Sequence, residues 1–149
     1  MRIHLIDGTY ELFRHFFGAP PHINSKGQEV GAVRAVASSM LSMVIQGATH
    51  IGIATDHVIT SFRNELYEDY KDGSEIDPVI LSQFLPLEEV LDVLGFTVFP
   101  MIEYEADDGL GAAAHKAAQH PEVQQVIILS LIHISEPTRL LSIAYGVVC

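Results

Sequence analysis

A chain of 149 residues, 48% hydrophobic and 18% charged, has the material for one domain with a sizeable core and is too apolar for a disordered polyelectrolyte. Its 19 acidic residues against 8 basic ones give a net charge of −11, which excludes a broad cationic surface for polyanions and suits a pocket that takes cations. The single cysteine, Cys149, excludes an internal disulfide framework and fits a reducing compartment. Asp7 interrupts the opening apolar run too early for a secretory leader, and no apolar run is long enough to span a bilayer. A cytoplasmic protein without a membrane partner is expected. The eight histidines are scattered and lack the close pairing of a zinc site.

The first apolar run, Ile3 to Ile6, reads as a strand ended by Asp7-Gly8. Thr9 to Phe17 then carries Leu12, Phe13, Phe16 and Phe17 at helical spacing, with Thr9 as N-cap and Glu11 in the first turn; Tyr10, Arg14 and His15 lie off the apolar stripe. Gly18 to Pro21 ends this helix, and Asn24-Ser25-Lys26-Gly27 is a polar turn. The clearest helix runs from Gly31 to Gly47, with Val33, Val36, Ala37, Met40, Leu41, Val44 and Ile45 as its core face. A second strand, Ile51 to Thr55, ends at Asp56.

The stretch from Ser61 to Ser74 mixes aromatic, basic and acidic residues without a continuous apolar face. It reads as a surface element whose Arg63, Tyr67, Tyr70 and Lys71 are chemically suited to stacking on bases and contacting phosphates. The plainer alternative is an amphipathic helix whose tyrosines pack and whose charges are solvated. Asp77-Pro78 caps and starts a further helix, which Pro86 is expected to break or kink into two before Gly95 closes it. Phe96 to Phe99 is a third strand leading through Pro100; a helix from Ala106 to about Gln119 is stopped by His120-Pro121; Gln125 to Leu129 is a fourth strand. Strands alternating with helices predict an α/β fold, a mainly parallel sheet with flanking helices.

Chemistry concentrates at the strand ends. Asp7 and Asp56 each terminate a strand, and Glu105, Asp107 and Asp108, three acids within four positions, come after the third. An open α/β sheet gathers such residues in the crevice beyond its carboxyl edge. Carboxylates crowded there repel unless a cation lies between them, and hard divalent ions take oxygen ligands. The competing reading is that these acids are only helix caps and turn residues.

Leu5-Ile6-Asp7-Gly8, Phe13-Arg14, Pro20-Pro21, Asn24-Ser25-Lys26-Gly27 and Gly31-Ala32-Val33 resemble the start of the 5′→3′ exonuclease domain found in bacterial DNA polymerase I and its free-standing relatives, part of the PIN-like flap-endonuclease superfamily. The run from Phe62 to Lys71 resembles the family's arch segment (here about residues 61–76), and Glu105-Ala106-Asp107-Asp108 its acidic metal motif. The resemblance implies a PIN-like, resolvase-like nuclease core that hydrolyses DNA at a 5′ end or flap with two Mg²⁺ or Mn²⁺ ions. It implies a monomer and allows for a polymerase domain in the parent protein. Carried over residue by residue, Asp7, Asp56, Glu105 and Asp107 would hold the first metal and Asp108 would lie between the two. Arg63 and Lys71 would contact the scissile phosphate, Tyr10 or Tyr67 would stack on a base, and Arg14 and Tyr70 would help to bind the nucleic acid.

Three departures bear on activity. The family follows its fourth strand with an Asp-x-Asp pair for the second metal, whereas here Ser130-Leu131-Ile132-His133 follows and no acid comes before Glu136. The family's Gly-rich helix–hairpin–helix is missing, and no arginine stands shortly after Lys71. Leu129 to Leu141 also resembles the translated read-through of a sequencing adapter, which divides the chain into a family portion, 1–129, and a foreign tail, 130–149. The alternative is a divergent C-terminus forming a helix or an edge strand. An incomplete site with weak or no activity is expected. The rival functions are a PIN-like RNase and a non-catalytic nucleic-acid- or protein-binding module.

Overall fold

The computed structural model describes residues 1–58 and 76–130, together with the backbone of a short strand at 143–145. Its elements follow in the order β1 (Arg2–Asp7), α1 (Gly8–Gly18), α2 (Gly31–Ile45), β2 (Ile51–Asp56), α3 (Pro78–Leu81), α4 (Phe84–Val93), β3 (Thr97–Met101), α5 (Ala106–Ala118), β4 (Gln125–Leu129) and β5 (Ile143–Tyr145). All strand pairs are parallel and the sheet order is β3-β2-β1-β4-β5. The predicted α/β class with a mainly parallel sheet is therefore correct.

The chain builds outward from β1 through β2 to β3, then returns to place β4 on the other side of β1. That reversal puts the topological switch point between β1 and β4, where a crevice opens at the carboxyl edge. Neighbouring residues on a strand face opposite ways, so each central strand feeds two cores. Ile6 and Ile53 point into a cluster with Leu12, Val33, Val36, Met40, Leu87 and Leu91 from α1, α2 and α4. Leu5 and Ala54 point the other way, against Ala106, Leu110 and Ala114 of α5, with Val126 and Ile128 beside them. Burial of a leucine such as Leu12 or Leu110 contributes about 1.5–3 kcal/mol.

Several local expectations change. The N-cap of α1 is Asp7, not Thr9: the Tyr10 N–H donates to Asp7 Oδ1 at 2.8 Å, and the helix starts at Gly8. Phe17 is 80% exposed and outside the core. The buried face of α2 is Ala32, Val33, Val36, Ala37 and Met40, while Leu41, Val44 and Ile45 are exposed. The break predicted from Pro86 falls at Ser82-Gln83, and Pro86 occupies the first turn of α4, where a missing N–H costs nothing. Gly95, at φ 86°, closes α4 as expected. The third strand starts one residue later than predicted and continues through Pro100, which is tolerated because β3 is an edge strand. In the tail, Ile143 to Tyr145 adds a strand beside β4, in register Val126 to Ile143.

Candidate metal-binding cleft

A cleft of about 510 Å³ opens at the carboxyl edge of the sheet, lined by Asp7, Asp56, Glu105, Asp107 and Ser130 together with Thr9, Tyr10, Phe13, Arg14 and Phe17. Each acid is placed by local structure. Asp7 ends β1 and caps α1. Asp56 ends β2, and its Oδ1 accepts the Ala106 N–H at 2.7 Å, so β2 reaches across to the positive end of α5. Glu105 is the N-cap residue of α5, and Asp107 stands in the first turn. Ser130 follows β4 directly, and its hydroxyl lies 3.2 Å from Asp7 Oδ2 and 3.1 Å from Asp107 Oδ1.

The remaining predicted residues divide clearly. Tyr10 and Arg14 line the cleft. Asp108 is not among its lining residues; its Oδ2 accepts the Glu105 N–H at 3.1 Å, as in a capping box. Arg63, Tyr67, Tyr70 and Lys71 lie outside the described residues. Arg14 pairs with the buried Glu11, which also lies 3.4 Å from His15 Nε2. Burial and the neighbouring Arg14 lower the His15 pKa.

Two residues with structural claims on the site are not singled out for them by the sequence. Thr9, expected to cap α1, instead accepts the Asp56 N–H on its Oγ1 at 2.8 Å, joining α1 to the end of β2. Ser130 occupies the same kind of strand-end position that draws attention to Asp7 and Asp56, but a search for carboxylates passes over a hydroxyl. On the other face, buried Glu88 of α4 accepts the Thr55 hydroxyl at 2.7 Å and lies 2.7 Å from His57 Nδ1, bracing the same strand end. Thr9→Val keeps the shape and leaves the Asp56 N–H without its acceptor. It is expected to cost about 1–3 kcal/mol in urea denaturation. A variant as stable as the parent would show that this contact does not hold α1 to β2.

The electrostatics favour a cation. Burial raises the Asp7 pKa to about 6, reinforced by repulsion from Asp107 and Asp56 against the opposing hydrogen bonds from Tyr10 and Ser130. Asp107 is also raised, first by burial and then by Asp56, Glu105 and Asp108. Burial and mutual repulsion of this kind disfavour the charged carboxylates until a cation lies among them, and an oxygen donor set fits a hard divalent ion. As the side chains stand, no three His, Cys, Asp or Glu residues among those described are close enough together to hold a metal ion. Rotation of carboxylates within the cleft would be needed to close on one.

The fold and cleft define an open parallel α/β protein with an acidic crevice at its switch point. A family described as 5′-3′ exonuclease, N-terminal resolvase-like domain, matches residues 2–131. The chain belongs to this family. DNA polymerase I of Geobacillus stearothermophilus is 36% identical over 126 residues, covering 83% of this chain and 14% of the polymerase. The thermostable DNA polymerase I of Thermus thermophilus is 37% identical over 118 residues, covering 78% and 14%. The chain thus spans about one seventh of the length of these relatives. Among solved structures, T5 5′-exonuclease with bound zinc ions aligns with a TM-score of 0.58 at 20% identity, over 87% of this chain and 49% of that one. A T5 flap endonuclease complex with DNA and metal ions aligns at 0.57 with 23% identity, over 87% and 48%. These likenesses establish the resolvase-like fold.

Proposed function

We propose that this chain carries the cation-binding part of a 5′-3′ exonuclease or flap endonuclease that hydrolyses DNA phosphodiester bonds with Mg²⁺ or Mn²⁺. The observation that carries the proposal is the convergence of Asp7, Asp56, Glu105 and Asp107, from separate strand and helix ends, on one cleft. Family membership supports the reaction class, and the T5 neighbours, one solved with zinc ions and the other with DNA and metal ions, support the substrate and cofactor classes. Bound cations supply an activated water and neutralise charge on the phosphate, in a two-ion mechanism in the complete family site.

The chain's own residues have distinct tasks. The four carboxylates hold the cation, and Asp108 steadies the start of α5. Arg14, oriented by Glu11, meets a backbone phosphate at the cleft wall. Tyr10 offers a ring to an unpaired base. Arg63 and Lys71 take the scissile phosphate near a 5′ end or flap, and Tyr67 and Tyr70 bind the nucleic acid. The parent protein carries a polymerase domain, as the full-length relatives do. Because a hydroxyl rather than a carboxylate follows β4, one cation binds well and turnover by this chain is weak.

The test is release of 5′-labelled products from a DNA flap with Mn²⁺ or Mg²⁺, against the same reaction in EDTA. A slow, cation-dependent release that disappears in Asp107→Ala is expected. Release that persists in EDTA, or in Asp107→Ala, overturns the proposal; cation binding without release points instead to a non-catalytic module.

A further inference from the structure

We infer that Ser130 is a positioning residue, whose hydroxyl holds Asp7 and Asp107 facing each other and so prepares the cleft for its cation. The inference rests on the cation-binding reading above. Asp7 belongs to the junction of β1 and α1 and Asp107 to the first turn of α5, elements separated by 100 residues of chain. Ser130 reaches both, at 3.2 and 3.1 Å, with a single oxygen. Its place follows from the fold. β4 lies beside β1 in register, Ile6 opposite Leu129, so Ser130 emerges level with Asp7 at the switch point. The match to the family includes this residue, ending at 131.

A hydroxyl has one proton to donate, so at any moment it serves one carboxylate. The near-equal distances mean that either acid can receive the proton by rotation about the C–O bond, and both are drawn toward one point. Without that donor, like-charge repulsion turns Asp107 away from Asp7, whose Oδ1 stays held by the Tyr10 N–H. A cation would then have to reassemble them and would bind more weakly, as when outer partners of metal ligands are removed.

The experiment titrates the full chain with Mn²⁺ and reads free Mn²⁺ by its electron paramagnetic resonance signal. It compares the parent with Ser130→Ala, and Ser130→Thr with its near-isostere Ser130→Val. Circular dichroism and metal-free thermal midpoints report folding separately. Ser130→Ala and Ser130→Val are expected to bind about tenfold more weakly, and Ser130→Thr close to the parent. Should Ser130→Ala fail to fold, the Thr and Val pair still isolates the hydroxyl. Equal affinities for Thr and Val, or a lowered midpoint with unchanged affinity, overturn the inference. Failure of the parent itself to bind Mn²⁺ overturns the cation-binding reading and this inference with it.

Discussion

Asp7→Asn is expected to make the metal-free protein more stable at pH 8 by about 2–3 kcal/mol while removing its stabilisation by Mn²⁺. Asp7 is buried, and its pKa rises from the usual 3.8 to about 6. Between those values the folded protein keeps a proton that the unfolded chain has released. Stability from this group is therefore fully present below about pH 4 and is lost as pH rises through 6. The loss amounts to about 1.4 kcal/mol for each pH unit separating the unfolded and folded pKa values. Asparagine retains an oxygen for the Tyr10 N–H, so the cap of α1 survives. It removes a buried charge, and with it the repulsion that Asp7 meets from Asp107 and Asp56. Urea denaturation at pH 4 and pH 8, with EDTA or Mn²⁺, checks this. The variant should match the parent at pH 4, exceed it at pH 8 in EDTA, and gain nothing from Mn²⁺. A gain of equal size at both pH values would exclude titration of Asp7 as the cause.

Gly8→Ala is expected to destabilise the fold by about 2–3 kcal/mol and to disturb the cleft. A Cβ built at Gly8 comes within 2.8 Å of Ile53 Cγ2, 2.9 Å of Thr55 Cγ2 and 3.1 Å of the Ala54 carbonyl. Ile53 and Thr55 are buried in the central sheet and the carbonyl belongs to its backbone, so none can yield cheaply. The first turn of α1 must lift, which moves Asp7, Tyr10 and Arg14 together. Gly109→Ala is the control. Its Cβ would meet Met101 Sδ at 2.7 Å, but that flexible thioether can turn aside, and alanine favours the helix. Near-parental stability is expected there, and equal losses in the two variants would show that the intrinsic cost of replacing glycine, rather than the contact with β2, decides the outcome.

Local chemistry is legible wherever one segment contains its own cause. The apolar runs of β1, β2 and β4, the caps at Asp77 and Gly95, and the acidic start of α5 all rest on neighbours within a few positions. The extent of the apolar faces is not legible. Spacing marks Phe17, Val44 and Ile45 as core, yet they are exposed, since periodicity shows which face a residue shares but not where the opposing sheet stops. Thr9 illustrates a second limit. A threonine two residues after Asp7 is also a capping residue by type, and its hydroxyl is instead taken by the Asp56 N–H at the end of β2.

The alternation of strands and helices, and the acids at the end of β1, at the end of β2 and after β3, can be read along the chain, because strand and helix signals are local and an aspartate or glutamate is chemically unmistakable. The tertiary structure alone decided which of these acids meet. Only the return of β4 to the side of β1 sets Ser130 between Asp7 and Asp107, through a hydrogen bond spanning 123 residues. Only the packing of α5 across the sheet brings the Ala106 N–H to Asp56 and leaves Asp108 to cap its own helix. Strand order and helix crossing are settled by burial on both faces of the sheet at once, a balance that no single stretch of the chain contains.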